Sequence, residues 1–490
     1  MGKVIIALDQ GTTSSRALAV NEKGEVLAMS QQEFAQHYPQ QGWVEHDPIE
    51  IWESQEAVFQ QVLDRVSGQH DIQALGITNQ RETIVAWDKE TGQPLYNALV
   101  WQDQRTASAC AQLSETHADQ IKTSTGLVVD SYFSASKMKW LLNNVPEVQK
   151  ASKEMRLAFG TVDSWLIWKM TEGKVHVTDT SNASRTMLYN IHKHGWDPEL
   201  LLLFEVPEHS LPQVLDSNAH FGDYIGAQGS IPIKAVMGDQ QSALYGQLCW
   251  NVGEVKNTYG TGCFALMNTG PIPKEGANLL TSIAWSINGK TTYCLEGSVF
   301  IGGAAIQWLR DKLHILEDAA SSEAIAEQAE DKELVVVPAF SGLGAPHWDM
   351  NAKGAVFGLT RDITTEDLTK ATLESIAFQS AELIETMKSV SGEINSLKVD
   401  GGASANNYLM QLQSDLLRIQ IDRPVNIEST AMGVVFMAGV ACGLWKEDEI
   451  ESLSPRERTF TPHKDEVEVQ RLMQRWSRAV EALKHWSSNE

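Results

Sequence analysis

The chain has 490 residues, too many for one ordinary hydrophobic core, and about 150 residues per domain predicts two to four domains. Hydrophobic residues at 42% and charged residues at 21% exclude a disordered, collagen-like or mini-protein chain. The formal net charge of −24 repels phosphate backbones, so nucleic acid is not expected as a partner, and an anionic substrate would have to be held by local donors.

Cys110, Cys249, Cys263, Cys294 and Cys442 are odd in number, scattered, and never in a C-x-x-C pair. Neither a disulfide framework nor a zinc module is indicated. The apolar start, Val4 to Leu8, is too short for a signal peptide, and Ile6 breaks the myristoylation pattern. The longest apolar or small stretch, Val434 to Trp445, has 12 residues, against about 20 for a membrane span. No intrinsic membrane segment and a cytoplasmic location are expected.

Val4 to Leu8 is Ile/Val-rich and ends in the turn Asp9-Gln10-Gly11-Thr12-Thr13-Ser14-Ser15, which predicts a buried strand. Arg16 to Val20, the turn Asn21-Glu22-Lys23-Gly24 and Val26 to Met29 continue it as a strand meander rather than the strand–loop–helix of a Rossmann or Walker site. The first helix is predicted from Pro48, capped by Asp47 with Glu50 completing a capping box, and stopped by Gly68. The order recurs from about residue 253. Glu254 to Thr258 leads through Tyr259-Gly260-Thr261-Gly262 to Cys263–Asn268, then Thr281 to Ile287, an Asn288-Gly289 hairpin, Thr291 to Leu295 and a helical pattern over Ile301 to Leu313. Two lobes of related architecture are predicted, with a small residue identity between them. Val467 to Trp486 reads as an amphipathic packing helix with Val469, Leu472, Met473, Trp476, Leu483 and Trp486 on one side.

Each Gly/Thr turn combines backbone N–H groups and hydroxyls on a tight bend, and Asp9 adds a carboxylate; a decorated hairpin or a phosphate nest with a metal-anchoring acid both fit. Val399-Asp400-Gly401-Gly402, before a helical pattern, lets a flat or anionic ligand approach a helix N-terminus or simply packs closely. No G-x-x-x-x-G-K-[ST] occurs. Asp239 precedes the helical run Ser242 to Leu248, as an N-cap or a reacting acid. Arg81-Glu82 follows the strand-like Ala74 to Ile77, and Trp101, Tyr132 and Phe264 taken singly would be core aromatics.

Taken together and in order, these segments stop being independent. Asp9-Gln-Gly-Thr-Thr-Ser-Ser-Arg16, Gln41 to Pro48, Gly76-Ile-Thr-Asn-Gln-Arg-Glu-Thr83, Val100-Trp-Gln-Asp103, Tyr132 to Lys137, Phe159 to Trp165, Gly238-Asp-Gln-Gln241, Asn257 to Phe264 and Val399 to Asn407 closely resemble the glycerol-phosphorylating branch of the FGGY carbohydrate kinases. The resemblance covers residue 4 to about residue 445. It implies an α/β fold of two actin-like (ribonuclease H-like) lobes with an interlobe cleft: residues 1–247 binding polyol and carrying one phosphate hairpin, and 248–490 binding adenosine and carrying the second.

The implied reaction is Mg2+-dependent transfer of the ATP γ-phosphoryl group to glycerol, giving sn-glycerol 3-phosphate and ADP, the first step of glycerol catabolism. Arg81, Glu82, Trp101, Tyr132, Asp239, Gln240 and Phe264 match the family's triol positions, with Asp239 as general base. Asp9, and Asp239 through a water, match the metal positions. Thr12, Thr13, Ser14, Arg16, Gly260 and Thr261 match the phosphate positions, and Gly303, Gln307, Gly402 and Asn406 the adenosine side. A dimer or tetramer of identical chains is the expected assembly. The alternatives are a kinase of this fold for another small polyol or ketose, and a non-catalytic nucleotide switch; the latter has no physical need for both Asp9 and Asp239.

Ser131, Gln104 and Thr430 to Val435 depart from the usual pattern without removing a proposed contact. The segment Gly226-Ala-Gln-Gly-Ser-Ile231 has no nearby Arg where some relatives bind a sugar bisphosphate. Fructose bisphosphate is therefore expected to inhibit weakly or not at all; strong inhibition in an activity assay would contradict this.

Overall fold

The computed structural model describes all residues except Ala227, Gln228, Glu393, Ile427 and 488–490. The 226–231 segment behind the bisphosphate expectation thus lies partly outside the described residues.

Two large sheets organise the chain. The first has the strand order Asp223–Gly226, Gly229–Gly238, His70–Asn79, Gly2–Gln10, Ser14–Asn21, Val26–Glu33. The second runs Leu280–Ile287, Lys290–Val299, Cys263–Gly270, Glu254–Tyr259, Ser396–Asp400, Ile421–Pro424, Arg456–Phe460. In each, one strand (Gly2–Gln10 or Glu254–Tyr259) pairs antiparallel with its hairpin partner and parallel with a strand that arrives much later in the chain. The expected duplication is therefore real at the level of topology. The second copy departs from a simple meander: Lys290–Val299 pairs with Cys263–Gly270, and Leu280–Ile287 is pushed outward. The tight Asn288-Gly289 turn joins the two strands without deciding which of them lies inside.

Val4 to Leu8 form a continuous apolar run because both faces of the strand are covered. Val4, Ile6 and Leu8 join a core with Phe59, Val62 and Leu63 of helix Pro48–Val66. Ile5 and Ala7 join a different core with Ala431, Val434 and Val435 of helix Ser429–Ala441. That second helix belongs in sequence to the far half of the chain, yet it packs on the first sheet. In return, helix Asp239–Gly246 packs on the second lobe's Cys263–Gly270. The two helices cross backbone to backbone. A Cβ on Gly433 would stand 1.9 Å from the Ser242 carbonyl oxygen, and one on Gly246 would stand 2.1 Å from that of Ser429.

Asp47 caps the Pro48 helix by accepting from the Ile49 N–H, but the capping box does not form, because Glu50 accepts from Ala35 N–H at 3.1 Å. The helical pattern over Ile301 to Leu313 shortens to Ala304–Asp311, its start taken up by Gly302 and Gly303 bonding to the Gly260–Thr261 turn. The C-terminal helix, Glu466–Ser487, packs as expected, with Trp476 stacked on Phe378 at 5.5 Å. Trp486 is the exception at 54% exposed, because helical drift carries the last turn off the stripe.

Gly433→Ala is expected to destabilise the protein by about 1–3 kcal/mol through overpacking, read as a lower urea midpoint. Gly195→Ala, whose Cβ meets nothing within 4 Å, serves as the control and should stay within about 0.5 kcal/mol.

Candidate active site

Register decides where the functional residues gather. In the first sheet Gln10 pairs with Asn79 and Asn79 with Gly238, so three adjacent parallel strands end at one level. Asp9, Gln80-Arg81-Glu82 and Asp239 therefore share one edge. In the second sheet Thr258 pairs with Asp400, which brings Gly260-Thr261 and Gly401-Gly402 to the same level. The carboxyl ends of parallel strands are where open α/β sheets bind ligands.

The first turn closes with Gly11 N–H donating to Ser14 O at 3.0 Å. Thr12 is half-buried and Thr13 exposed, and Ser14 Oγ accepts from Gln31 Nε2 at 2.9 Å. Trp101 Nε1 donates to Thr12 Oγ1 at 2.9 Å, so an aromatic of the expected triol wall is hydrogen-bonded to the expected phosphate turn. Trp101 also meets Tyr132 edge-on at 5.5 Å. Phe264, half-buried, stands opposite Thr258 on the second lobe's hairpin.

The second turn is held by Gly260 N–H on Gly262 O at 2.9 Å and by Gly302 N–H on Thr261 O at 2.8 Å, while Gly303 N–H donates to Gly260 O at 2.8 Å. Thr261 and Gln307 are exposed. A Cβ at Gly402 would meet nothing within 4 Å, so its backbone faces open space. Asn406 caps helix Asn407–Leu417 through Leu409 N–H at 2.9 Å. Its Nδ2 donates to Ser322 Oγ at 3.3 Å.

At the polyol end a group of charges is buried. Arg81 Nη1 and Nη2 donate to the two oxygens of Glu296 at 2.6 and 2.8 Å, and Nη1 also donates to Gln241 Oε1 at 3.2 Å. Arg81 Nε lies 3.2 Å from Asp239 Oδ1 and 3.8 Å from Glu82 Oε1. Glu82 Oε1 in turn accepts from Arg185 Nε at 2.6 Å, and Arg185 Nη1 donates to Ser282 Oγ at 2.9 Å. The Glu82 backbone is left-handed at φ 62°, spanned by a 2.7 Å bond from Thr83 N–H to Arg81 O. A non-glycine residue there costs about 1–3 kcal/mol. Gly238 leaves room for the arginine, since its Cβ would stand 2.7 Å from Arg81 Cγ.

Asp239 opens helix Asp239–Gly246 rather than capping it; Gly238 holds the cap position. Its Oδ1 accepts from Gln240 N–H at 2.7 Å. Burial raises its carboxyl above the usual range, against the pull of Arg81, the Gln240 N–H and Lys256. Burial likewise pushes Asp9 up to about 7, with Asp239 and Glu428 adding to the rise and Arg16 opposing it. A cation beside the two acids would offset the cost of burying their charge. Their hard oxygens fit Mg2+, which takes one or two carboxylates and leaves its remaining positions to water and phosphate. Among the described residues no cluster of three or more His, Cys, Asp or Glu side chains offers a richer metal cage.

Arg16 pairs across the lobes with Glu428 and donates to Gln31 Oε1 at 3.1 Å, so its guanidinium is engaged beside the turn. Sequence reasoning missed Glu428, Arg185, Lys256 and Glu296. Lys256, fully buried, donates to Gln240 Oε1 and, at 2.9 Å, to Thr258 Oγ1. Glu296 did carry a signal: one carboxylate in the apolar strand run Tyr293-Cys-Leu-Glu-Gly-Ser-Val299 must be paired to be buried.

Burial would raise the Glu296 carboxyl, but Arg185 and Arg81 hold it down to about 2. A carboxylate depressed on folding stabilises fully above its unfolded pKa of about 4.5, and that contribution fades as pH falls toward 2. The unfolding free-energy gap between the parent and Glu296→Gln is thus expected to shrink on acidification from pH 5 to 3, out of a total of about 3 kcal/mol. A gap independent of pH in urea titrations would contradict the pairing.

Residues 4–246 match the FGGY family of carbohydrate kinases, N-terminal domain, and residues 255–442 match the C-terminal domain of the same family. A glycerol kinase of Alkaliphilus oremlandii is 52% identical over 100% of this chain and 99% of its own. The crystal structure of Plasmodium falciparum glycerol kinase with ADP superposes with a TM-score of 0.94 at 33% identity, covering 98% of both chains. A ligand-bound xylulose kinase of Lactobacillus acidophilus shares the fold at a TM-score of 0.89 and 22% identity, again over 98% of both chains.

Proposed function

The chain belongs to the FGGY family of carbohydrate kinases, with its two-lobe actin-like ATPase fold, and on that premise we propose that it transfers the γ-phosphoryl group of ATP to glycerol, with Asp239 as the base. The observation that carries this reading is Asp239 itself: a carboxylate 3.2 Å from Arg81 Nε, on the strand edge it shares with Asp9.

In the proposed reaction a terminal glycerol hydroxyl oxygen bonds to the γ-phosphorus as the β–γ bridging bond breaks and ADP leaves. The hydroxyl proton passes to the Asp239 carboxylate. The transition state is loose, so positioning and charge neutralisation dominate. Mg2+, held by Asp9 and through water by Asp239, would supply charge neutralisation at the phosphates.

Several roles follow from hydrogen-bond accounting. Lys256 donates to Gln240 Oε1, so the amide nitrogen would be the Gln240 atom left to donate to a substrate oxygen. Glu82 supplies an acceptor. Trp101 and Phe264 would wall the C–H face of the triol, with Tyr132 edge-on to Trp101. Thr12, Thr13, Ser14 and Arg16 on one hairpin, and Gly260 and Thr261 on the other, would hold the phosphates. Gly303, Gln307, Gly402 and Asn406 would border the adenosine, where a bare Gly402 backbone admits a flat ring.

The proposed division into lobes 1–247 and 248–490 is supported by the first sheet closing with Gly229–Gly238 and the second opening with Glu254–Tyr259. A cytoplasmic setting, expected from the short apolar runs of the sequence, and a dimer or tetramer of identical chains, expected from the family resemblance, complete the reading. Among the described residues, no helix is long and apolar enough to cross a membrane.

A coupled ATP-consumption assay tests the proposal. Consumption is expected with glycerol and only a small fraction of it without. Asp239→Asn is expected to lower turnover at least about a hundredfold with far less change in ATP affinity. Near-normal turnover in that variant would remove Asp239 from its role.

A further inference from the structure

The proposed triol residues are not self-sufficient, because Arg81 is gripped from the opposite lobe. An arginine has five N–H donors in a fixed fork. Glu296 takes one from each terminal nitrogen and Gln241 takes a second from Nη1. Nε is turned toward Asp239. What remains for a ligand is the second hydrogen of Nη2, whose direction is set by the grip on the other nitrogens.

Glu296 comes from strand Lys290–Val299 of the second lobe and has no exposed surface. Its charge is balanced twice over, by Arg81 and by Arg185, whose Nη1 lies 3.3 Å away. Arg185 is itself turned by Glu82 and by the rings of Phe133 and Tyr132 at 5.1 and 5.5 Å. The four side chains form a neutral quartet without exposed surface beyond 3% on any member. Such a quartet is seldom more stable than an apolar packing of the same volume; what it supplies is direction, because a bidentate carboxylate fixes the plane of a guanidinium.

We propose that Glu296, with Arg185 behind it, is a positioning pair for Arg81, aiming the remaining donor at the polyol and Nε at Asp239 only when the second lobe is seated against the first. The proposal rests on the polyol-kinase reading above, and it makes Arg81 a point at which lobe register and substrate recognition meet.

The test is steady-state kinetics of the full chain with glycerol and ATP varied separately. Glu296→Gln is expected to raise the glycerol KM tenfold or more and to lower kcat, with the ATP KM within twofold of the parent. Glu296→Asp keeps the charge but loses the reach to both nitrogens, and is expected not to restore glycerol KM. The charge-balanced Glu296→Gln/Arg185→Gln variant covers the case in which an unpaired buried arginine prevents folding, and it too should show the selective glycerol defect. A folded variant with parental glycerol KM, or with glycerol and ATP KM rising together, overturns the positioning role while leaving the kinase reading intact. A parent chain with no glycerol-dependent consumption of ATP overturns that reading first, and the inference with it.

Discussion

One guanidinium ties the molecule together. Arg81 leaves the first sheet at the edge that also bears Asp9 and Asp239, and its terminal nitrogens end on a carboxylate of the second sheet. Breaking such a buried pair by removing one partner typically costs about 3–5 kcal/mol, so the two lobes are not free to choose their relative placement at this point. The strained backbone at Glu82 belongs to the same device. A left-handed residue between Arg81 and Thr83 lets consecutive side chains reach different partners, Glu296 for one and Arg185 for the other.

The phosphate and polyol ends are joined by a second link. Trp101 bonds to Thr12 through its indole N–H, and Thr83 Oγ1 accepts from the Trp101 backbone N–H at 3.1 Å while donating to Gln80 Oε1 at 2.9 Å. Gln80 N–H donates to Gln10 O at 2.7 Å. This chain of bonds runs from the wall of one subsite to the hairpin of the other without leaving the first lobe. Burial raises the carboxyls of Asp9 and Asp239 on either side of it, so a cation placed between them would be favoured.

Much of this was legible in the amino-acid order. The Gly/Thr hairpins, the Asp239 helix start and the two-lobe duplication are local signals, because turns and helix starts are written in a few adjacent residues. The family resemblance then supplied which of the local signals belong together. What escaped was whatever depends on contacts between segments that are not adjacent in the chain. Glu296 and Arg185 look like isolated charges in chain order, and only the packing of the two lobes makes them neighbours of residue 81. The misplaced strand order in the second lobe has the same origin: a hairpin reads identically whether its first or its second strand lies inward. Glu50, read as a capping residue, found a better partner in Ala35 N–H, a contact that no local rule anticipates.

The crossing of helices Asp239–Gly246 and Ser429–Ala441 has a consequence for how the chain is made. Ile5, Ala7, Ala74, Ala235 and Met237 share a core with Ala431, Val434, Val435 and Phe436. During synthesis the first sheet emerges with Leu244 and Tyr245 as its own partial cover on that face, and the helix that completes the cover, Ser429–Ala441, is translated much later. A nascent chain of this design carries a half-shielded apolar plane while everything between Gly246 and Ser429 is being made, and that plane is open to any apolar surface that meets it first.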